Sequence, residues 1–130
     1  MRLNLARGLI GLVILWNLQA AFVFLIWPER YTAGFELQGM PSEAMLRGFG
    51  VLFVMWNVPY AVALWNPIRH RISLYEALAM QTIGLVGEGA IYLSLPGAFD
   101  LLRASISRFI LFDLVGLILL LVALFLTRPD

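Results

Sequence analysis

Apolar residues along this chain fall into four runs, each closed by charge or by proline. The first extends from Gly8 to Trp27 and ends at Pro28, Glu29 and Arg30; the second extends from Gly48 to Trp65 and ends at Asn66 and Pro67. The third, Ile72 to Leu95, lies between Arg71 and Pro96, and the fourth, Phe109 to Thr127, lies between Arg108 and Arg128. A bilayer hydrocarbon core of about 30 Å is crossed by roughly 20 such residues in a helix. Strands of a barrel would instead appear as segments of about ten residues with alternating polarity. The pattern therefore predicts an all-α, polytopic integral membrane protein. It is a four-transmembrane-helix bundle with short loops, one membrane domain over 1–130 with spans at approximately 8–27, 48–65, 72–95 and 109–127.

Arg2 and Arg7 ahead of the first run look like the charged end of a signal peptide. The run continues past Ala21 to Trp27, however, and Leu18 is too large for the small-x-small cleavage pattern, so a retained span is expected. In the longest link, Pro41, Ser42 and Glu43 resemble a helix start, with Ser capping and Glu at the positive end, which begins the second helix at Glu43. Between Ala98 and Phe109, apolar Leu101, Leu102 and Ile106 alternate with Asp100, Arg103 and Ser107 at helical spacing, the signature of an interfacial amphipathic turn. The link from Asn66 to Arg71 is short enough to make the second and third spans antiparallel neighbours. At an offset of 40, Arg7, Gly8, Leu12, Trp16 and Asn17 match Arg47, Gly48, Leu52, Trp56 and Asn57, a short internal similarity between spans of opposite direction.

Composition agrees with lipid as the solvent: 62% of residues are apolar and 13% charged, against about 25% charged in soluble domains. A net charge of +1 offers no field to recruit nucleic acid, so the expected partners are the lipid bilayer and other membrane subunits. With no cysteine and one histidine, His70, thiolate sites and two-histidine metal sites within one chain are excluded, and no cofactor is required. Neither a phosphate-binding P-loop, a Gly-x-Ser-x-Gly elbow nor a His-Glu-x-x-His helix is present. All nine basic residues are arginine. Arg2, Arg7, Arg69, Arg71 and Arg128 fall on the side of the termini, and Arg30, Arg47, Arg103 and Arg108 fall opposite, along with Glu29, Glu36, Glu43 and Asp100; of the loop acids only Asp130 joins the termini. The positive-inside rule then predicts a multi-pass cell-membrane protein with both termini cytoplasmic.

Polar residues within the runs carry the chemical information, because an acid at mid-membrane costs about 2.5–3.5 kcal/mol even on insertion scales. Ser73, Ala77, Gln81, Gly84 and Glu88 recur at helical spacing and form one small or polar stripe that should face another helix. Glu88 should lie roughly 10 Å from the outer end of its span and Asp113 about 6 Å inside the outer start of the fourth. Two readings of these acids stand open. Arg47, Arg103 and Arg108, just above, are candidate charge partners that would neutralise them structurally, whereas acids left desolvated together would form a proton-binding site. Glu76, near the inner end of the third span, is within reach of Arg7, Arg69 or Arg71. Asn17, Gln19 and Asn57 sit near mid-membrane, where they either join helices or line a polar pocket. Pro59 deprives the Met55 carbonyl of its partner and predicts a kink at that depth.

The order of features in the first half resembles small four-helix DoxX-like bacterial membrane proteins. It has an apolar span closed by Trp27-Pro28-Glu29, then Leu46-Arg47-Gly48-Phe49-Gly50 opening the second span, then Asn66-Pro67 before a basic link. The resemblance implies a four-helix membrane fold and, for some members, a link to quinone-coupled oxidoreductase complexes; Glu88 and Asp113 do not map onto it. With almost no extramembrane chain, the leading expectation is a non-catalytic accessory or scaffold subunit of a larger membrane complex. The alternative is a small transporter or quinone-site protein using Glu88, Asp113, Gln81, Asn17, Gln19 and Asn57. Acids paired with arginine at the rim favour the first, and acids converging on one enclosed polar cavity favour the second.

Overall fold

A computed structural model describes residues 1–128; Asp130, counted above with the termini, lies outside the described residues. Four helices account for most of the chain: α1 (Arg2–Ile26), α2 (Met40–Trp65), α3 (Arg71–Ser94) and α4 (Asp100–Leu126). They have 25, 26, 24 and 27 residues, or about 36–40 Å each at 1.5 Å per residue. Three of them, α1, α2 and α4, are long and apolar enough to cross a membrane. The more polar α3, with Glu76, Gln81 and Glu88 along it, is not among those three.

Two helix starts differ from the sequence-based expectation. α2 begins at Met40, not Glu43, because Pro41 suits a first helical turn, where no amide donor is needed. Gly39 supplies the positive φ of 80° that turns the chain into it, and Ser42, inside the helix, donates back to the Gly39 carbonyl at 2.5 Å instead of capping. α4 begins at Asp100, so the amphipathic stretch is no separate interfacial turn but the outer end of one continuous helix. Its first exposed amides are partly met by Glu36, whose carboxylate accepts from the Leu102 N–H at 3.4 Å.

Each helix packs on its sequence neighbours, and α4 closes the ring onto α1; the α2–α3 seam is the least extensive of the four. Three arginines fasten the ends by donating to the free carbonyls at the C-terminus of an adjacent helix. Arg7 Nε on α1 reaches the Leu64 carbonyl of α2 at 3.0 Å, and Arg71 Nη1 on α3 reaches the Thr127 carbonyl after α4 at 2.8 Å. Arg103 Nη1 on α4 reaches the Leu95 and Tyr92 carbonyls at the end of α3 at 2.9 and 3.4 Å, with its guanidinium 4.3 Å above the Tyr92 ring. Helix C-termini carry unsatisfied carbonyls and partial negative charge, so a cation there serves both needs. The Asn66 side chain closes the short link between α2 and α3 by accepting from the Ile68 and Arg69 amides at 3.1 and 3.0 Å.

The dry core occupies the half of the bundle nearest the termini: Ala6, Ile10 and Val13 of α1, Tyr60 and Ala63 of α2, Leu74 and Ala77 of α3, Leu120 and Ala123 of α4. The other half is aromatic and looser. The link from Pro28 to Gly39 folds over it through two short 3-10 turns, Pro28–Arg30 and Ala33–Phe35. Phe35 lies against Phe24 and Phe109, and the Gly34 carbonyl accepts from the Ser105 hydroxyl at 2.5 Å.

Candidate functional site

A polar layer crosses the bundle where its two halves meet. Because α4 starts at Asp100, Asp113 stands midway along it, about 20 Å from either end, deeper than the spacing from Arg108 implied. Opposite, Gln81 is buried in the middle of α3. Gln81 Nε2 donates to Asp113 Oδ1 at 2.8 Å and to the Asp113 carbonyl at 3.3 Å, and Gln81 Oε1 accepts from the Tyr60 hydroxyl of α2 at 2.7 Å. Three helices are thereby joined by one amide side chain whose carbonyl and NH₂ ends are both used.

The fit depends on two glycines in reciprocal positions. A Cβ at Gly84 on α3 would overlap the Asp113 carboxylate, and a Cβ at Gly116 on α4 would stand 2.6 Å from Gln81 Nε2. Gly84 follows Gln81 by three residues and Gly116 follows Asp113 by three, so on antiparallel helices each polar side chain meets the glycine of the other. Neither Tyr60 nor Gly116 stood out in the sequence. The signal that would have found them is the shared spacing, a polar residue with glycine three positions later on two facing helices.

Glu88, two turns above Gln81, sits about 9 Å from the outer end of α3. Its Oε2 is buried and has no hydrogen-bond partner. Among the described residues no arginine lies within 4.0 Å of either the Glu88 or the Asp113 carboxylate. The expected partners are engaged elsewhere: Arg47 pairs with Glu43 at 3.8 Å, Arg103 is taken by the carbonyls ending α3, and Arg108 Nη2 donates to Ser105 Oγ at 3.0 Å. Helix-end carbonyls and surface acids reach these arginines at the rim, with no need to draw a guanidinium down into the bundle. Glu76 is exposed in a groove with Pro59 and Ser73 between α2 and α3, and it too makes no ion pair among the described residues.

The three amides expected near mid-membrane divide. Asn17 lines a small cavity of about 50 Å³ together with Trp16, Tyr60, Gln81, Glu88 and Asp113, so α1 contributes to the polar layer. Gln19, exposed, faces a different cavity of about 420 Å³ between α1, the outer link and α4, beside Arg30, Tyr31 and Arg108. Asn57 is buried on α2; its Nδ2 donates to the Phe53 carbonyl of its own helix at 2.7 Å, and its Oδ1 has no partner. Equal depth on neighbouring helices says nothing about the direction each side chain takes around its helix axis, and the three amides do not form one group.

A third cavity, about 450 Å³, opens between α2, α3 and α4 in the outer half. Its walls are apolar, with Phe24, Phe53, Phe109, Trp56 and Leu102 prominent, and Glu88 is its one acidic residue. The Phe53 and Phe109 rings stack at 6.1 Å and 22°, and Phe53 meets Trp56 edge-on at 5.6 Å. Glu88 lines both this cleft and the small polar cavity, and so stands at the junction of the two. Among the described residues, no three of His, Asp and Glu come close enough to hold a metal ion.

No family model, curated protein or solved structure matches this chain.

Proposed function

We propose that this is a four-span membrane protein that binds a membrane-soluble small molecule in the cleft between α2, α3 and α4, the class that covers transported amphiphiles and quinones. The observation that carries the reading is the Glu88 carboxyl group. The residue is half-buried, its Oε2 is buried without a protein partner, and it sits where an apolar cleft of about 450 Å³ meets a polar cavity. Such sites are mostly apolar with a few convergent polar groups that fix orientation. A buried polar group without a partner is costly unless something else satisfies it. The resemblance of the first half to DoxX-like proteins, some of them linked to quinone chemistry, points to the same class of ligand.

The fourth span is α3. It is tied to both ends of α4, by Arg71 at the end near the termini and by Arg103 at the other, so it accompanies α4 along its whole length. Gln81 and the Glu88 Oε2 atom turn inward, and Ile72, Tyr75, Ile83, Val86, Ile91 and Leu93 are exposed where lipid would lie. Four spans put both termini on one side, and the five arginines there against four opposite support a cytoplasmic placement of that side.

The accessory-subunit reading retains one observation, the open space beside Gly87 and Gly89 on α3, where a partner helix would meet no side chain. One experiment separates the two. The tagged protein is extracted in mild detergent, its native mass is measured, and small molecules released on denaturation are analysed by mass spectrometry. A monomer or small homo-oligomer carrying a released small molecule, lost in Glu88→Gln, is the expected result. A complex many times 14.6 kDa containing other chains, with no small molecule, would replace this reading with the accessory one.

A further inference from the structure

We infer that the ligand of the Glu88 cleft is a lipophilic organic cation, a quaternary or protonated amine or a phosphonium carrying aromatic groups; this deepens the binding-site reading above and rests on it. The inference follows from which charges meet at the site. Glu88 and Asp113 line the small cavity together and no basic side chain lines it. Around the cleft the position is the same: Glu88 is present and arginine is absent from the lining. Of the arginines near the outer end, Arg47, Arg108 and Arg103 already have partners at Glu43, Ser105 and the carbonyls that end α3, and Arg30 lies over the Trp27 ring beside the separate cavity of Gln19. Asp113 has Gln81 as its donor, whereas Glu88 Oε2 has none.

The walls favour the same class of guest. Phe53, Phe109 and Phe24 form a contiguous cluster, with centroids 6.0–6.2 Å apart, and Trp56 adds an edge contact to Phe53. The faces of such rings attract a cation, most strongly where water is excluded, and quaternary ammonium ligands are recognised in this way. A neutral ring system would gain the apolar contact but would leave the carboxylate without a counter-charge, which low-dielectric surroundings penalise. A cation satisfies both the rings and the acid. Its size is bounded by the cleft, about 450 Å³, room for two or three aromatic rings. Entry is lateral, since Phe49, Leu52 and Ile91 at the cleft are exposed on the side where lipid would lie and the α2–α3 seam is the least packed.

The test compares methyltriphenylphosphonium with 1,1,1-triphenylethane, which has the same shape and rings but a carbon in place of the charged phosphorus. The full chain is reconstituted in nanodiscs of zwitterionic lipid, binding is read from tryptophan fluorescence, and protein-free discs correct for partition into lipid. The expected result is at least tenfold tighter binding of the cation than of its neutral isostere. That preference should be lost in Glu88→Gln, and both molecules should be displaced in Leu102→Trp, which fills the cleft. Equal binding of the two, unaffected by Glu88→Gln, would overturn the cationic ligand while leaving the cleft as a site for neutral molecules such as quinones. Failure of both probes to bind, with the protein folded by thermal melt, would also overturn it; the release experiment above then decides the wider reading. The comparison within the native protein needs no variant, so a Glu88→Gln protein that fails to fold does not remove the test.

Discussion

The two halves of the bundle use the same four helices for opposite ends. Near the termini, small residues and branched aliphatics interlock, and Ile10, Leu74 and Leu120 are fully buried. In the outer half the same helices splay around aromatic rings, two sizeable spaces and one small one, with Gly50 seated against Ala21 and Leu25 as a tight contact between α1 and α2. The Tyr60–Gln81–Asp113 layer lies between the two. In lipid, apolar burial contributes little to helix association, so close packing and hydrogen bonds decide where a bundle is shut. The comparison teaches that the end near the termini is closed by packing, the polar layer is its floor, and the outer half leaves open space between the same helices.

The largest effect should come from the contact that keeps the outer half assembled. Gly50→Val places a Cβ 2.9 Å from the Ala21 carbonyl and 2.8 Å from Leu25 Cγ; backbone cannot swing aside, so α1 and α2 must separate. A loss of about 3 kcal/mol is expected, the upper part of the range for overpacking, measured by denaturation in detergent. Next, Leu120→Ala should cost about 2 kcal/mol, the low end of the Leu→Ala range, because lipid is as apolar as the core and only packing is lost. Leu52→Ala, at a cleft residue 41% exposed, should stay within about 0.5 kcal/mol. Equal losses for these two leucines would erase the distinction between the halves.

How much of this was legible follows from what depth along a helix can and cannot say. The four apolar runs each correspond to a helix because hydrophobic length is a one-dimensional property, as is the short Asn66–Arg71 link. The ends were less legible: Asp100, Arg103 and Ser107 read as a surface turn, yet the helical period that suggested it continues unbroken into α4. That shift moved Asp113 to mid-helix, where it finds Gln81 instead of Arg108. Gln81, Glu88 and Asp113 were readable as costly polar residues in apolar surroundings. Tyr60 was not, because a tyrosine in an apolar run is equally a packing residue, and the arginine partners were not, because carbonyls ending a neighbouring helix are invisible until the ring of helices closes.

The floor between the halves can be tested directly. Gln81→Leu keeps the volume of the side chain but strands the Tyr60 hydroxyl and one Asp113 oxygen. An unpaired buried polar group costs about 1–3 kcal/mol, reduced in membranes where alternative partners are found. The expected loss is therefore about 1–2 kcal/mol, with Tyr60→Phe costing less because Gln81 retains its bonds to Asp113. If Gln81→Leu melts with the native protein, the layer does not join the three helices.

The smallest effect expected is also the most informative about what the outer half is for. Glu88→Gln changes one buried oxygen without a partner into an amide nitrogen of the same size, removing an ionisable group that no protein donor satisfies. A residue kept for stability would be missed when replaced. Here the change should leave stability within about 0.5 kcal/mol of the native protein or raise it, since a neutral amide replaces an ionisable group whose charged form has no compensating partner. Thermal melts of the two proteins in the same detergent, freed of small molecules, would show it. Adding methyltriphenylphosphonium should then raise the melting temperature of the native protein more than that of the variant, because stabilisation by a ligand grows with its affinity for the folded state. A Glu88→Gln protein that melts well below the native one without ligand would show that the carboxyl group is satisfied within the fold, and the contrast between a closed half and a receptive half would lose its chemical basis.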